Sequence, residues 1–254
     1  MFKYNPLEYL PSSKELPDSD DTPVDNELQI SIPTLLSDIL VSIWGNRQDW
    51  FFGINMGIYY AAHQPAIVPD SFLSLGVKRF VGKNGRSSYV LWEENGIGPI
   101  LALEIVSQTY NSEYEQKKID YAELDILYYV IYAPTRLRRH KRLEIYRLDN
   151  GEYILQPGDK CWMPEIGLGI GRENANYKRI TREWLFWYDE NGNRYLTPDE
   201  VKEQQIAQIA QQKQEIAQKE QEIAQKEQEI AQQNRQFQEL LTKLKERGID
   251  LNTL

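Results

Sequence analysis

The stretch that most constrains this chain runs from residue 100 to residue 134, ILALEIVSQTYNSEYEQKKIDYAELDILYYVIYAP. Its two ends, ILALEIVS and LYYVIYAP, are continuous apolar runs of strand length, rich in β-branched and aromatic residues, as in strands covered on both faces. Between them SEYEQKKIDYAELD reads as a helix, with Tyr114, Lys118, Tyr121 and Leu124 spaced three or four apart along one side. Lys117 lies about 100° around that helix from Lys118, so the two lysines cannot do the same job. Strand, helix, strand in this order requires a crossover connection and therefore a parallel pair. A mixed α/β sheet is expected. The same stretch poses a problem: Glu104 stands inside the first apolar run, and a buried carboxylate is costly unless a cation or good hydrogen bonds compensate it.

The rest of the chain supplies material for such a sheet. LQISIPTLLSDILVSIWGN suits a helix from about Pro33 to Trp44, with the proline tolerated in the first turn. DWFFGINMGIYY, AIVPDSFLSLGV and RSSYVLWEE read as strands, the second carrying Pro69 at its middle and so needing an irregularity or an edge. LEIYRLDNGEYILQ is a hairpin turning at Asn150-Gly151, and EWLFWYDENGNRYLTP repeats the device around Asn191-Gly192. GLGIG at 167–171 lacks the spacing and the strand–helix setting of a nucleotide loop and reads as a turn-rich segment.

Three regions follow from composition. Residues 1–26 form an irregular acidic arm, 27–198 a globular domain, and 199–254 a helical tail. The tail repeats the heptad IAQKEQE, and Ile209, Ile216, Ile223, Ile230, Phe237 and Leu244 fall seven apart, as in a coiled-coil seam. That seam is thin, because Gln212, Lys219, Lys226 and Gln233 occupy the positions where a strong zipper places leucine. It suits either a weakly associating helix, with a homodimer as the simplest assembly, or a solvated spacer.

Of the net charge of −9, the first 27 residues carry −5 and residues 201–254 carry −1, leaving −3 for the middle. A near-neutral domain argues against a broad electropositive wrap around nucleic acid and favours local, metal-assisted contact. One cysteine, Cys161, excludes an internal disulfide and a thiolate zinc cluster. His63 and His140 are too isolated for a zinc site or a catalytic triad. The absence of a long apolar run leads us to expect a cytoplasmic protein with no membrane association.

Asp70, in VPDS, and Glu104 would project from neighbouring strands, with Lys117 early in the following helix. Two carboxylates at one end of a sheet can hold a hard divalent cation, and the backbone carbonyl of Ile105 could add an oxygen. Such a cation stabilises charge building on a phosphate, and a nearby lysine can position water or neutralise that charge. On the residues alone Asp70 could equally form a turn and Glu104 be salt-bridged or solvated. RLRRHKR at 136–142 could contact phosphates through Arg136, Arg138, Arg139, Lys141 and Arg142, or be a solvated connection. The aromatics near 184–188 could stack on bases, although core packing suits them better.

At these residues the chain resembles a known family. AIVPDSFLSLG, PILALEIVSQT and EYEQKKIDYAELDILYYVIYAP, in that order, are similar to the Uma2 endonuclease family of the PD-(D/E)XK nuclease superfamily, over roughly residues 25–195. The resemblance implies a restriction-endonuclease-like mixed sheet flanked by helices and a DNA-cleaving enzyme using Mg²⁺ or Mn²⁺. It implies Asp70 and Glu104 as the motif acids. Two residues after the glutamate the superfamily has a lysine, and here Val106 stands there. In Uma2-like sequences a helix lysine four residues before a tyrosine takes over, which selects Lys117 ahead of Tyr121, with Lys118 as the alternative. An acidic residue of the first helix sometimes joins such sites, which nominates Glu27. The rival expectation is an inactive nuclease-like scaffold that assembles through its tail.

Overall fold

In the computed structural model, residues 9–17, 26–106, 113–135 and 140–246 are described. Helix α1 (Leu28–Ile43) is followed by β1 (Trp50–Ile54), β2 (Ile58–Tyr59), β3 (Ser71–Leu75), β4 (Tyr89–Val90) and β5 (Leu101–Ile105). Then come α2 (Gln116–Glu123), β6 (Tyr128–Tyr132), β7 (Leu143–Asp149) and β8 (Glu152–Leu155). The elements end with β9 (Lys160–Met163), β10 (Leu168–Tyr177), β11 (Ile180–Tyr188) and α3 (Pro198–Glu246).

The central sheet has six strands in the order β1-β3-β5-β6-β7-β8. Only β5 and β6 run parallel, Leu101 opposite Tyr128 through Ile105 opposite Tyr132; the other neighbours are antiparallel. This is the parallel pair that the 100–134 stretch requires, with α2 as its crossover. Both faces of the pair are covered, so LALEI and YYVIY are buried at every position. Leu101, Leu103, Val130 and Tyr132 face α1 and the β9–β11 sheet, in a core with Ile32, Leu36, Trp184 and Trp187. Ala102, Tyr129 and Ile131 face α2, in a second cluster with Tyr121, Ile126 and Tyr153. The aromatics of β11 are thus core residues, and Trp187 donates its indole N–H to the Leu36 carbonyl.

Several expectations are corrected. α1 begins at Leu28, with Pro33 inside it. DWFFGINMGIYY is two strands, broken where Asn55 adopts φ +46°; β2 leaves the main sheet and pairs in parallel with β4, to which RSSYVLWEE contracts. β3 starts only after Pro69 and Asp70. In GLGIG only Gly167 lies in a turn, at φ +74°, and the other four residues start the long strand β10. A Cβ on Gly171 would meet the Lys160 side chain at 2.6 Å and the Tyr188 ring at 3.1 Å, so glycine here permits close cross-strand packing. The hairpin partner of β11 is β10, through a tight turn at Lys178-Arg179, both at positive φ. Asn191-Gly192 does form a turn, but only an isolated Tyr188–Arg194 bridge follows it.

The described part of the N-terminal arm has no regular structure, yet it is tied to the β2–β4 region. Its Pro17 carbonyl accepts from the Tyr59 hydroxyl at 2.8 Å and its Pro11 carbonyl from the Trp92 indole at 2.9 Å. The chain divides into two compact units, residues 1–198 and 199–254. The described part of the second is α3, whose Ile209, Ile216, Ile223 and Ile230 are each more than half exposed. No described helix is long and apolar enough to cross a membrane.

Candidate active site

Glu104 owes its position to strand alternation. Leu101, Leu103 and Ile105 point to the α1 side, so Ala102 and Glu104 point to the α2 side. There Glu104 is 1% exposed. On the edge of β5 that faces β3, pairing stops at Ser71 opposite Leu103, and Glu104 and Ile105 run on past the end of the neighbouring strand. Asp70 occupies that edge: its Oδ2 accepts the Ile105 N–H at 2.6 Å, and its own carbonyl accepts the Asn55 N–H at 3.0 Å. The N–H and carbonyl of one strand residue point to the same edge, so the Ile105 carbonyl is also directed to the Asp70 side.

Helix α2 supplies the counter-groups. Lys117 and Tyr121 are four apart, hence one above the other on a single face. The Lys117 ammonium donates to Glu104 Oε2 at 2.8 Å, and the Tyr121 hydroxyl donates to Oε1 at 2.5 Å. The opening problem is thereby answered: the buried carboxylate has a donor on each oxygen, one of them a cation. Each oxygen retains a further lone pair for another partner. Lys118 points elsewhere, its ammonium 3.7 Å from the centre of the Tyr146 ring, so the structure separates the two lysines in favour of Lys117. Val106, at the superfamily's lysine position, is a core residue.

The electrostatics are those of a site with excess negative charge. Burial, then the neighbouring Glu104 charge, pushes Asp70 up to about 7. Burial also raises Glu104, and Lys117 and Tyr121 pull it back only in part. For Lys117 burial works against the charged form, but the Glu104, Asp70 and Glu113 carboxylates outweigh it and hold the ammonium protonated. Tyr121 is raised well above the ordinary phenol range, by burial and then by Glu104, and so remains a donor. Two carboxylates that resist joint ionisation are what a divalent cation relieves. The donor set of Asp70, Glu104 and the Ile105 carbonyl is all oxygen, which suits Mg²⁺ or Mn²⁺. Among the described residues no group of three or more His, Cys, Asp and Glu side chains is arranged to hold a metal. A cation at Asp70 and Glu104 would complete its shell from water or substrate, as magnesium sites commonly do.

The remaining candidates are not brought to this point. Glu27 is exposed at the start of α1, a helix packed on the opposite face of the sheet from Glu104, and no contact brings it to Asp70 or Glu104 among the described residues. Arg136, Arg138 and Arg139 lie outside the described residues. Lys141 is exposed, with its backbone N–H bonded to Glu144, whereas the Arg142 guanidinium is engaged by Glu183 at 3.3 Å. Sequence reasoning placed Tyr121 only as a spacing marker; its direct bond to Glu104 follows from the same i, i+4 relation and could have been read there. It missed Glu144, a buried carboxylate in line with Glu104 across Ile131 and satisfied by the Tyr146 hydroxyl. Pairing register alone reveals that row.

A mixed sheet with an aspartate at the head of one strand, a glutamate inside the next and a lysine carried to it by the crossover helix defines a restriction-endonuclease-like protein. Comparison of the sequence agrees with the class. The chain belongs to the Uma2 family, described as "Putative restriction endonuclease", whose model matches residues 20–173. No curated protein and no solved structure matches the chain.

Proposed function

We propose that the protein is a metal-dependent endonuclease that hydrolyses DNA phosphodiester bonds, with Asp70 and Glu104 as metal ligands and Lys117 as the assisting cation. The observation that carries the reading is the convergence of these three head groups, far apart in sequence, at the open end of the β3–β5 pair. A Mg²⁺ or Mn²⁺ held by Asp70 and Glu104 would supply Lewis-acid stabilisation of charge on the scissile phosphate. The Ile105 N–H holds the Asp70 carboxylate beside the strand that carries Glu104, near enough for the Glu104 charge to raise Asp70. Lys117, kept protonated by three carboxylates, places a positive charge where an attacking water and the phosphoryl oxygens would lie. Tyr121 holds the Glu104 carboxylate in plane and does not need to reach substrate.

The test is nicking of supercoiled plasmid by the full chain with Mg²⁺ or Mn²⁺. Glu104→Gln is expected to lower the rate by roughly 10²-fold or more, with a circular dichroism spectrum like that of the parent. Undiminished cleavage by that variant would remove Glu104 from the chemistry.

One observation favours a second role for the tail. The isoleucines that recur every seven residues of α3 are exposed, as the seam of an assembling helix would be in a single chain. A nuclease-like scaffold assembled through that helix is the alternative, and it predicts assembly without metal-dependent nicking.

A further inference from the structure

The loop joining β3 to β4, GVKRFVGKNGR at 76–86, belongs to no part of the site described above. It leaves the opposite end of β3 from Asp70, and six residues of strand at about 3.3 Å each put roughly 20 Å between them. From residue 71 to residue 92 the chain has four cations and no Asp or Glu, in a protein of net charge −9. Elsewhere the arginines are largely engaged: Arg47 with Asp49, Arg142 and Arg172 with Glu183, Arg147 with Glu165, Arg194 with Glu173. Lys78, Arg79 and Lys83 make no ion pair with a carboxylate among the described residues.

The loop is also built rather than slack. Arg86, almost fully buried, bonds both oxygens of Glu94 and reaches back to the Lys78 carbonyl at 2.7 Å, closing the loop across its base. The Gly76 and Arg79 N–H groups bond the Asp49 and Gln48 carbonyls at 2.7 and 2.9 Å. The Arg79 guanidinium lies 4.0 Å from the centre of the buried Trp50 ring, which braces it in a cation–π contact. Between the cations Phe80 is 63% exposed. The rim of its ring lies beside Gly85, where a Cβ would meet it at 3.3 Å, and most of the side chain is open to water.

We infer that the 76–86 loop docks a single-stranded segment of nucleic acid, with Lys78, Arg79 and Lys83 on backbone phosphates and Phe80 stacked on an unpaired base. Unpaired cations spaced over six residues match a strand of regularly spaced phosphates, and an open ring between them matches the base that such a strand presents. A bare anion would not need the ring, and an apolar partner would not need the cations. The inference goes beyond cleavage chemistry and stands without it.

The test is fluorescence anisotropy of a labelled 20-nucleotide oligothymidylate with the full chain in EDTA, so that no cleavage takes part. Lys78→Glu with Lys83→Glu, both exposed, is expected to weaken binding at least tenfold and to flatten the dependence on salt. Phe80→Ala should weaken binding roughly fivefold or more, and more for the oligonucleotide than for a duplex of the same length. The parent is assayed for nicking in parallel: oligonucleotide binding without any metal-dependent nicking sinks the proposed activity and spares this surface, whereas nicking without oligonucleotide binding does the reverse. Unchanged affinity in the lysine double variant overturns the inference. So does capture of phosphatidylglycerol vesicles, lost in the same variants, with no oligonucleotide binding.

Discussion

Asp70 is the residue at which the energetics of the site become measurable. Its folded value of about 7 lies far above the ordinary aspartate value of 3.8, because burial and the Glu104 charge both disfavour its ionised form. The folded state therefore holds a proton that the unfolded chain releases near pH 4. Stability contributed by this group is present below that pH, declines as pH rises to about 7, and changes little beyond. At about 1.4 kcal/mol per pH unit the loss is on the order of a few kcal/mol. In metal-free protein, the stability difference between parent and Asp70→Asn, from urea melts at pH 4 to 8, should shift steadily in favour of the variant up to pH 7. Added Mg²⁺ at pH 8 should restore the parent and leave the variant unmoved, since cation binding selects the ionised carboxylate. A pH-independent difference would mean that Asp70 ionises freely. Glu104 answers to the same physics, but its donors were legible in advance: a lysine and a tyrosine four apart in KKIDY share a helix face wherever that helix packs.

At the scale of elements, β5, α2 and β6 could be read from pattern because strand and helix periods differ and each run had a clean length. The β10–β11 hairpin could not. Its turn is Lys178-Arg179, with φ of +50° and +64°, and neither residue signals the left-handed region as Asn-Gly does. The long cross-strand register from Gly169 opposite Tyr188 to Tyr177 opposite Ile180 imposes that conformation on residues that resist it. Replacing them with Lys178→Asn and Arg179→Gly should accordingly stabilise the domain by about 1 kcal/mol, net of the glycine's greater freedom when unfolded. Thermal melting should rise by a few degrees; a lower midpoint would show that the two long side chains hold something their backbone strain does not reveal.

For the molecule as a whole, the tail sets the remaining question of assembly. Its isoleucines are exposed along the helix, while the Lys and Gln of the alternate seam positions weaken any partnership. Light scattering after size exclusion should show mass rising with concentration over tens of micromolar, and Ile216→Asn with Ile223→Asn should hold it at the monomer value of 29.8 kDa. Equal masses for parent and variant would leave the helix a spacer. What the amino-acid order determined unaided is periodic and local: the parallel pair and its crossover, the shared face of Lys117 and Tyr121, the heptad of the tail. What tertiary structure alone decided is where β3 stops against β5, which strand pairs with β11, and that α1 covers the face away from Glu104. Those outcomes depend on strand register and on which surfaces compete for burial, and both are properties of distant segments meeting rather than of any one segment's spacing.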